Sequence, residues 1–103
     1  MANSNPPVKN QECIFYCTLE NFANPGFWKT NPTLASGDFK VSIDGGAFAD
    51  ITTPTLAPAA GKNVKVIMDA GEMNGDAITV IWEDQTSPPE WTAGSICFLT
   101  TSA

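Results

Sequence analysis

From residue 38 onward the chain alternates apolar and polar side chains with a period of two, and turn residues break the pattern roughly every ten positions. Asp38-Phe-Lys-Val-Ser-Ile43 sets Phe39, Val41 and Ile43 on one face and Lys40 and Ser42 on the other. Asp44-Gly45-Gly46 supplies residues that tolerate positive φ, and Ala47-Phe-Ala-Asp-Ile-Thr52 returns, which predicts a β-hairpin. Asn63-Val-Lys-Val-Ile-Met-Asp69 repeats the pattern with Val64, Val66 and Met68 inward. Gly71-Glu-Met-Asn-Gly75 reads as a turn. Asp76-Ala-Ile-Thr-Val-Ile-Trp-Glu83 is the next strand, with Ile78, Val80 and Trp82 expected in the core. Glu90-Trp-Thr-Ala-Gly-Ser-Ile-Cys-Phe-Leu99 closes the fold, and Gly94 within it suggests a bulge. No segment carries the 3.6-residue period of a long helix. The fold class is all-β.

The first third of the chain is less regular. Cys-Ile-Phe-Tyr-Cys-Thr-Leu-Glu20 is apolar on both faces, which predicts a strand that is central or covered on both sides. Asn24-Pro25-Gly26 makes a turn, Asn31-Pro32 a break, and Phe27 to Thr30 between them a short edge strand. Thr53 to Gly61 contains Pro54 and Pro58 and is expected to run extended over the surface. Residues 1–11 are polar, with Pro6-Pro7 and one large apolar side chain, Val8. Such a segment cannot build a core and is expected to form an extended arm held by a neighbouring subunit. Residues 12–103 then form a single β-sandwich of about seven short strands. The strand, turn and strand from Val66 to Trp82 resemble the E-to-F corner of immunoglobulin-like domains, without the usual corner tyrosine or paired cysteines.

Charge removes several classes of partner. Five lysines and no arginine stand against eleven acidic residues, a net charge of −6. Nucleic acid binding through phosphates requires a basic face, which this composition cannot supply. Anionic lipid is disfavoured for the same reason. No apolar run approaches the roughly 20 residues of a membrane span. The opening residues hold no hydrophobic stretch of the secretory kind, so synthesis in the cytoplasm is expected.

Candidate chemistry is thin. The chain has no histidine, which takes away the commonest general base and zinc ligand. Cys13 and Cys17 sit four apart, about 13 Å along a strand, too far to share one zinc. The three cysteines are expected to be reduced core side chains, with a Cys17–Cys97 bridge as the alternative. Asp69, Glu72 and Asp76 flank one turn without the ligand density of a calcium loop. Glu83, Asp84 and Glu90 invite comparison with a glycosidase carboxylate pair, although acids near a loop are usually solvated. No enzyme activity, cofactor or metal is expected. Surface contact remains, and the candidate interface residues are Pro6, Pro7 and Val8 of the arm together with Phe27, Trp28 and Trp91.

Two stretches carry a family resemblance. Asn31-Pro-Thr-Leu-Ala-Ser-Gly-Asp-Phe-Lys-Val-Ser-Ile-Asp-Gly-Gly-Ala-Phe-Ala-Asp50 and Glu72-Met-Asn-Gly-Asp-Ala-Ile-Thr-Val80 resemble small proteins encoded among the structural genes of tailed bacteriophages and prophages. The opening Met1-Ala-Asn-Ser-Asn-Pro-Pro7 is similar to the start of such proteins. The resemblance implies a virion structural protein. Its expected role is capsid decoration: the sandwich caps a junction of the major capsid protein and reinforces the shell against the pressure of packaged DNA. The alternative is a neck, tail or fibre component engaging other virion proteins or the host surface. Homo-oligomers are compatible with either role.

Overall fold

The computed structural model describes residues 6–102, and among these there is no helix. Seven strands form two antiparallel sheets: β1 (Cys13–Thr18), β2 (Phe39–Ile43), β3 (Ala49–Asp50), β4 (Thr55–Leu56), β5 (Asn63–Met68), β6 (Ala77–Trp82) and β7 (Gly94–Leu99). One sheet has the order β1-β5-β4, the other β3-β2-β6-β7. The alternation read from the sequence fixes which side chains meet between them. Val64, Val66 and Met68 of β5 are fully buried, as are Ile78 and Val80 of β6. Phe39 and Val41 of β2 join the same core.

The hairpin forms where the turn chemistry places it. Lys40 pairs with Asp50 and Val41 with Ala49, while Asp44 (φ 51°) and Gly45 (φ 78°) supply the left-handed backbone. Asp44 does a second job. Its Oδ1 accepts the amides of Asp76 and Ala77, both at 2.9 Å, and so pins the start of β6 to the hairpin tip.

Several expectations are corrected. Among the described residues β1 is an edge strand, with β5 as its only ladder partner. Its second face is correspondingly open, and Tyr16 there is 53% exposed. Aromatic content on both faces therefore did not signal a covered strand. The Pro-rich loop contains β4, which adds Leu56 opposite Val64. Gly94 marks no bulge, because the β6–β7 register runs unbroken from Ala77↔Leu99 to Trp82↔Gly94. Glycine is needed there for another reason: a Cβ at 94 would lie 2.6 Å from Nε1 of the Trp82 indole, which covers it. Trp82 itself is half-buried and stacks on Phe39, ring centroids 5.5 Å apart.

Residues 7–10 are docked on their own domain. Thr101 donates its amide to Pro7 O at 2.9 Å, and Lys9 donates to Thr101 O at 2.8 Å, a parallel bridge of Val8 with Thr101. Lys9 Nζ also meets Asp76 Oδ1 at 2.7 Å, and this pairing raises the Lys9 pKa. An extended arm free to reach a neighbour is thus not what Pro7, Val8 and Lys9 form. The rest of that expectation concerns residues 1–5, which lie outside the described residues.

Candidate functional site

Among the described residues, three of the exposed aromatic side chains come from one connection. Phe22 is 50% exposed, Trp28 56% and Phe27 70%. All three belong to the connection between β1 and β2, and its backbone explains their position. Residues 19–22 lie between two short antiparallel neighbours. On one side Asn21 donates to Phe27 O at 2.8 Å and Lys29 to Leu19 O at 2.6 Å. On the other side Phe22 donates to Glu90 O at 3.0 Å and Thr92 to Glu20 O at 2.9 Å.

Bridged residues share a face and successive residues alternate. The bridge Asn21↔Trp91 places Trp91 with Leu19 on the inward face, and Glu20↔Trp28 places Trp28 with Glu20 and Phe22 on the outward face. This division corrects the expectation for Trp91. It is 1% exposed, its indole donates to Thr33 O at 3.3 Å, and its ring lies 6.1 Å from that of Phe39. It is a core residue. Phe27 and Trp28 are exposed as expected. Phe22 was missed, since neither alternation nor turn chemistry marks a lone Phe before Ala23-Asn24-Pro25.

The turn bearing these aromatics is fastened. Asn21 Oδ1 accepts the amides of Ala23 (3.0 Å) and Asn24 (3.2 Å). Glu20 Oε2 accepts the amide of Gly26 at 2.9 Å, and Gly26 takes φ 95°, a conformation a side chain would strain. A contact surface held in this way loses little conformational entropy when a partner arrives.

Beside Phe22 opens a cleft of about 270 Å³, lined by Phe22, Glu83, Asp84, Pro89, Trp91 and Thr92. It falls just below the range for ligand sites, roughly 300–1,000 Å³. Of the acids at its wall, Asp84 is structural. Asp84 is buried and accepts hydrogen bonds from the Thr86 hydroxyl, from the Thr86 amide (3.0 Å) and from the Glu90 amide (2.6 Å). Burial pushes its pKa up, but the hydrogen bonds from Thr86 and from the Glu90 and Trp91 amides outweigh this and hold the carboxyl below its ordinary value. Glu90 Oε1 accepts the Thr33 amide at 3.1 Å. Asp84 and Glu90 are thus both engaged by backbone amides.

The sign of the Asp84 shift gives a testable pH dependence. A carboxyl whose folded pKa is depressed stabilises the fold above the unfolded pKa, and that contribution is lost as pH falls through the folded value. Asp84→Asn should therefore be less stable than the parent chain at neutral pH. The gap should close below about pH 4. Urea unfolding at a series of pH values checks this, and a constant gap down to the acid transition would contradict it.

The other sequence candidates separate in space. Asp69 and Glu72 cap one turn reciprocally: Glu72 Oε1 accepts the Asp69 amide at 2.9 Å and Asp69 Oδ1 the Glu72 amide at 2.8 Å. Asp76 is paired with Lys9. No group of three or more metal-ligating side chains occurs among the described residues. All three cysteines are free thiols. Burial raises the pKa of Cys13, and that of Cys17 to about 11. A Cys17–Cys97 bridge does not form, because Cys17 packs against the core between the sheets while Cys97 is exposed beside Thr79, whose hydroxyl lies 3.6 Å from its sulfur. Comparison with known proteins finds no matching family model, no matching curated protein and no matching solved structure.

Proposed function

We propose that the protein is a bacteriophage virion structural protein that acts by contact and does no chemistry. In this reading it decorates the capsid, and the outward face of Phe22 and Trp28, with Phe27 at the adjoining turn, seats on the major capsid protein. The observation that carries the proposal is this set of exposed aromatics on a hydrogen-bonded turn. Aromatic side chains on preorganised backbone supply most of the energy at contact hot spots, about 2 kcal/mol or more each. The virion setting rests on the resemblance of Asn31–Asp50 and Glu72–Val80 to phage structural proteins. Docking of Pro7 to Lys9 on Thr101 moves the expected contact from the arm to the aromatic turn.

Within this reading the sandwich is immunoglobulin-like. The order β1-β5-β4 matches strands B-E-D of that architecture, and β3-β2-β6-β7 matches C′-C-F-G. The turn with Met73 between β5 and β6 then corresponds to the E-to-F corner.

The double variant Phe27→Ala/Trp28→Ala tests the site. Because both side chains are largely exposed, its folding stability should stay within about 0.5–1 kcal/mol of the parent. Its copy number on purified particles should fall at least about tenfold. Unchanged incorporation would remove the aromatic face from the contact, and absence of the parent protein from particles would remove the virion reading. A second reading is favoured by the single face shared by Phe22 and Trp28: a neck, tail or fibre module whose flat aromatic platform meets the host surface. Hundreds of copies per particle support decoration, and tens or fewer the second reading.

A further inference from the structure

The cleft beside Phe22 has room for one side chain, and its walls select the kind. Phe22, Pro89, Trp91 and Ala93 make it largely apolar. Thr92 adds a hydroxyl and Glu83 a carboxylate. Asp84, the other acid there, is engaged by the amides of Thr86 and Glu90. Glu83 is different. It is exposed, and among the described residues no hydrogen bond or ion pair engages its carboxylate. Its backbone is fixed all the same, because its amide donates to Asp38 O at 2.9 Å.

Charge around the cleft is of one sign. Residues 83–90 hold Glu83, Asp84 and Glu90, residues 19–28 hold Glu20, and neither segment contains a lysine. Lys29, next along the chain, forms no ion pair with any of these acids among the described residues. A cation entering here meets a negative potential between apolar walls, where attraction is screened less than on open surface. The cleft also lies on the β6 side of the strand that ends in Thr101. Glu90 and Thr92 turn backbone groups to Phe22 and Glu20, the side on which Thr100 meets Asp76. Thr101 turns to Pro7 and Lys9 on the other side.

We propose that this cleft receives an arginine side chain of a protein partner. A guanidinium is planar and weakly hydrated, stacks on aromatic rings and offers paired N–H donors to a carboxylate. Phe22 supplies the ring, Glu83 the carboxylate, and Pro89 with Ala93 a surface for the aliphatic stem. Lysine has the charge but lacks the planar face. An uncharged side chain would desolvate the Glu83 carboxylate and give it no partner. Because the cleft holds one side chain and not a larger ligand, it is an anchor point within a wider contact. The inference rests on the contact reading above and names the side chain that the partner brings to Phe22.

Titration of the full, isotopically labelled chain with Nα-acetyl-arginine amide, followed by amide and indole NMR shifts, tests it. Saturable binding with a Kd of about 1–10 mM is expected, with shifts centred on Phe22, Glu83 and Thr92. Phe22→Ala and Glu83→Gln, both at exposed positions, should each weaken it at least about fivefold. The citrulline analogue, similar in shape but uncharged, should bind at least about tenfold more weakly. Absence of saturation up to about 100 mM overturns the proposal, and so does a Glu83→Gln variant that binds like the parent. Equal binding of the citrulline analogue overturns the role of charge, and equal binding of Nα-acetyl-lysine amide overturns the choice of arginine. The titration involves no particles. Its failure leaves incorporation untouched, and a chain absent from particles can still bind the probe.

Discussion

Trp91→Ala is expected to destabilise the fold by about 3–5 kcal/mol, the range for removing a fully buried aromatic. The side chain is 1% exposed, rests against Phe39, and its indole satisfies the Thr33 carbonyl. Alanine would leave a cavity at the end of the sandwich and strip that carbonyl of its donor. A domain of this size holds about 5–15 kcal/mol in total, so the variant should unfold well below the parent in urea or on heating. The same change also tests the assignment of the two tryptophans flanking residues 19–22. Trp28→Ala should shift stability by under about 1 kcal/mol. If the two variants lost comparable stability, the inward and outward faces would have been exchanged.

Gly75→Ala is expected to cost about 1–3 kcal/mol, the range for forcing an extra carbon into a packed site. The position takes no left-handed backbone, so the effect is steric. A Cβ there would fall 2.3 Å from Cγ2 of Ile43 and 2.8 Å from Oδ2 of Asp44. Ile43 is β-branched and cannot swing aside without moving its backbone. Asp44 is held by the amides of Asp76 and Ala77, so displacing it unfastens β6 from the hairpin tip. Chemical denaturation of the single variant reads the cost. Gly45→Ala, where added side-chain volume meets open space, separates sterics from backbone strain at φ 78°. A neutral Gly75→Ala would mean that the tip relaxes freely.

Much of the architecture was legible because alternation and turn chemistry are local. The hairpin from Phe39 to Asp50 and the inward sets Val64/Val66/Met68 and Ile78/Val80 follow from period two and from Asp44-Gly45 alone. What alternation cannot give is the identity of a strand's neighbour. β1, apolar on both faces, reads as covered and is an edge. Met73 is fully buried in the core although it comes from a turn, the one closed by the reciprocal Asp69–Glu72 cap. Trp91 and Trp28 look alike in sequence, each following a proline-containing turn. Their opposite fates are set by bridges to Asn21 and Glu20, adjacent residues with opposite faces. Gly94 was legible as a special position but not for its cause, since the indole that excludes a Cβ arrives from a strand twelve residues away.

The bridge between Val8 and Thr101 has a mechanical consequence. The two segments run parallel, so tension applied upstream of Pro7 and downstream of Thr101 pulls them past each other along their length. The bonds Lys9–Thr101 and Thr101–Pro7, with the ion pair of Lys9 and Asp76, then break together instead of unzipping one at a time. Load entering through the chain therefore meets this clamp in shear before it reaches the β6–β7 ladder.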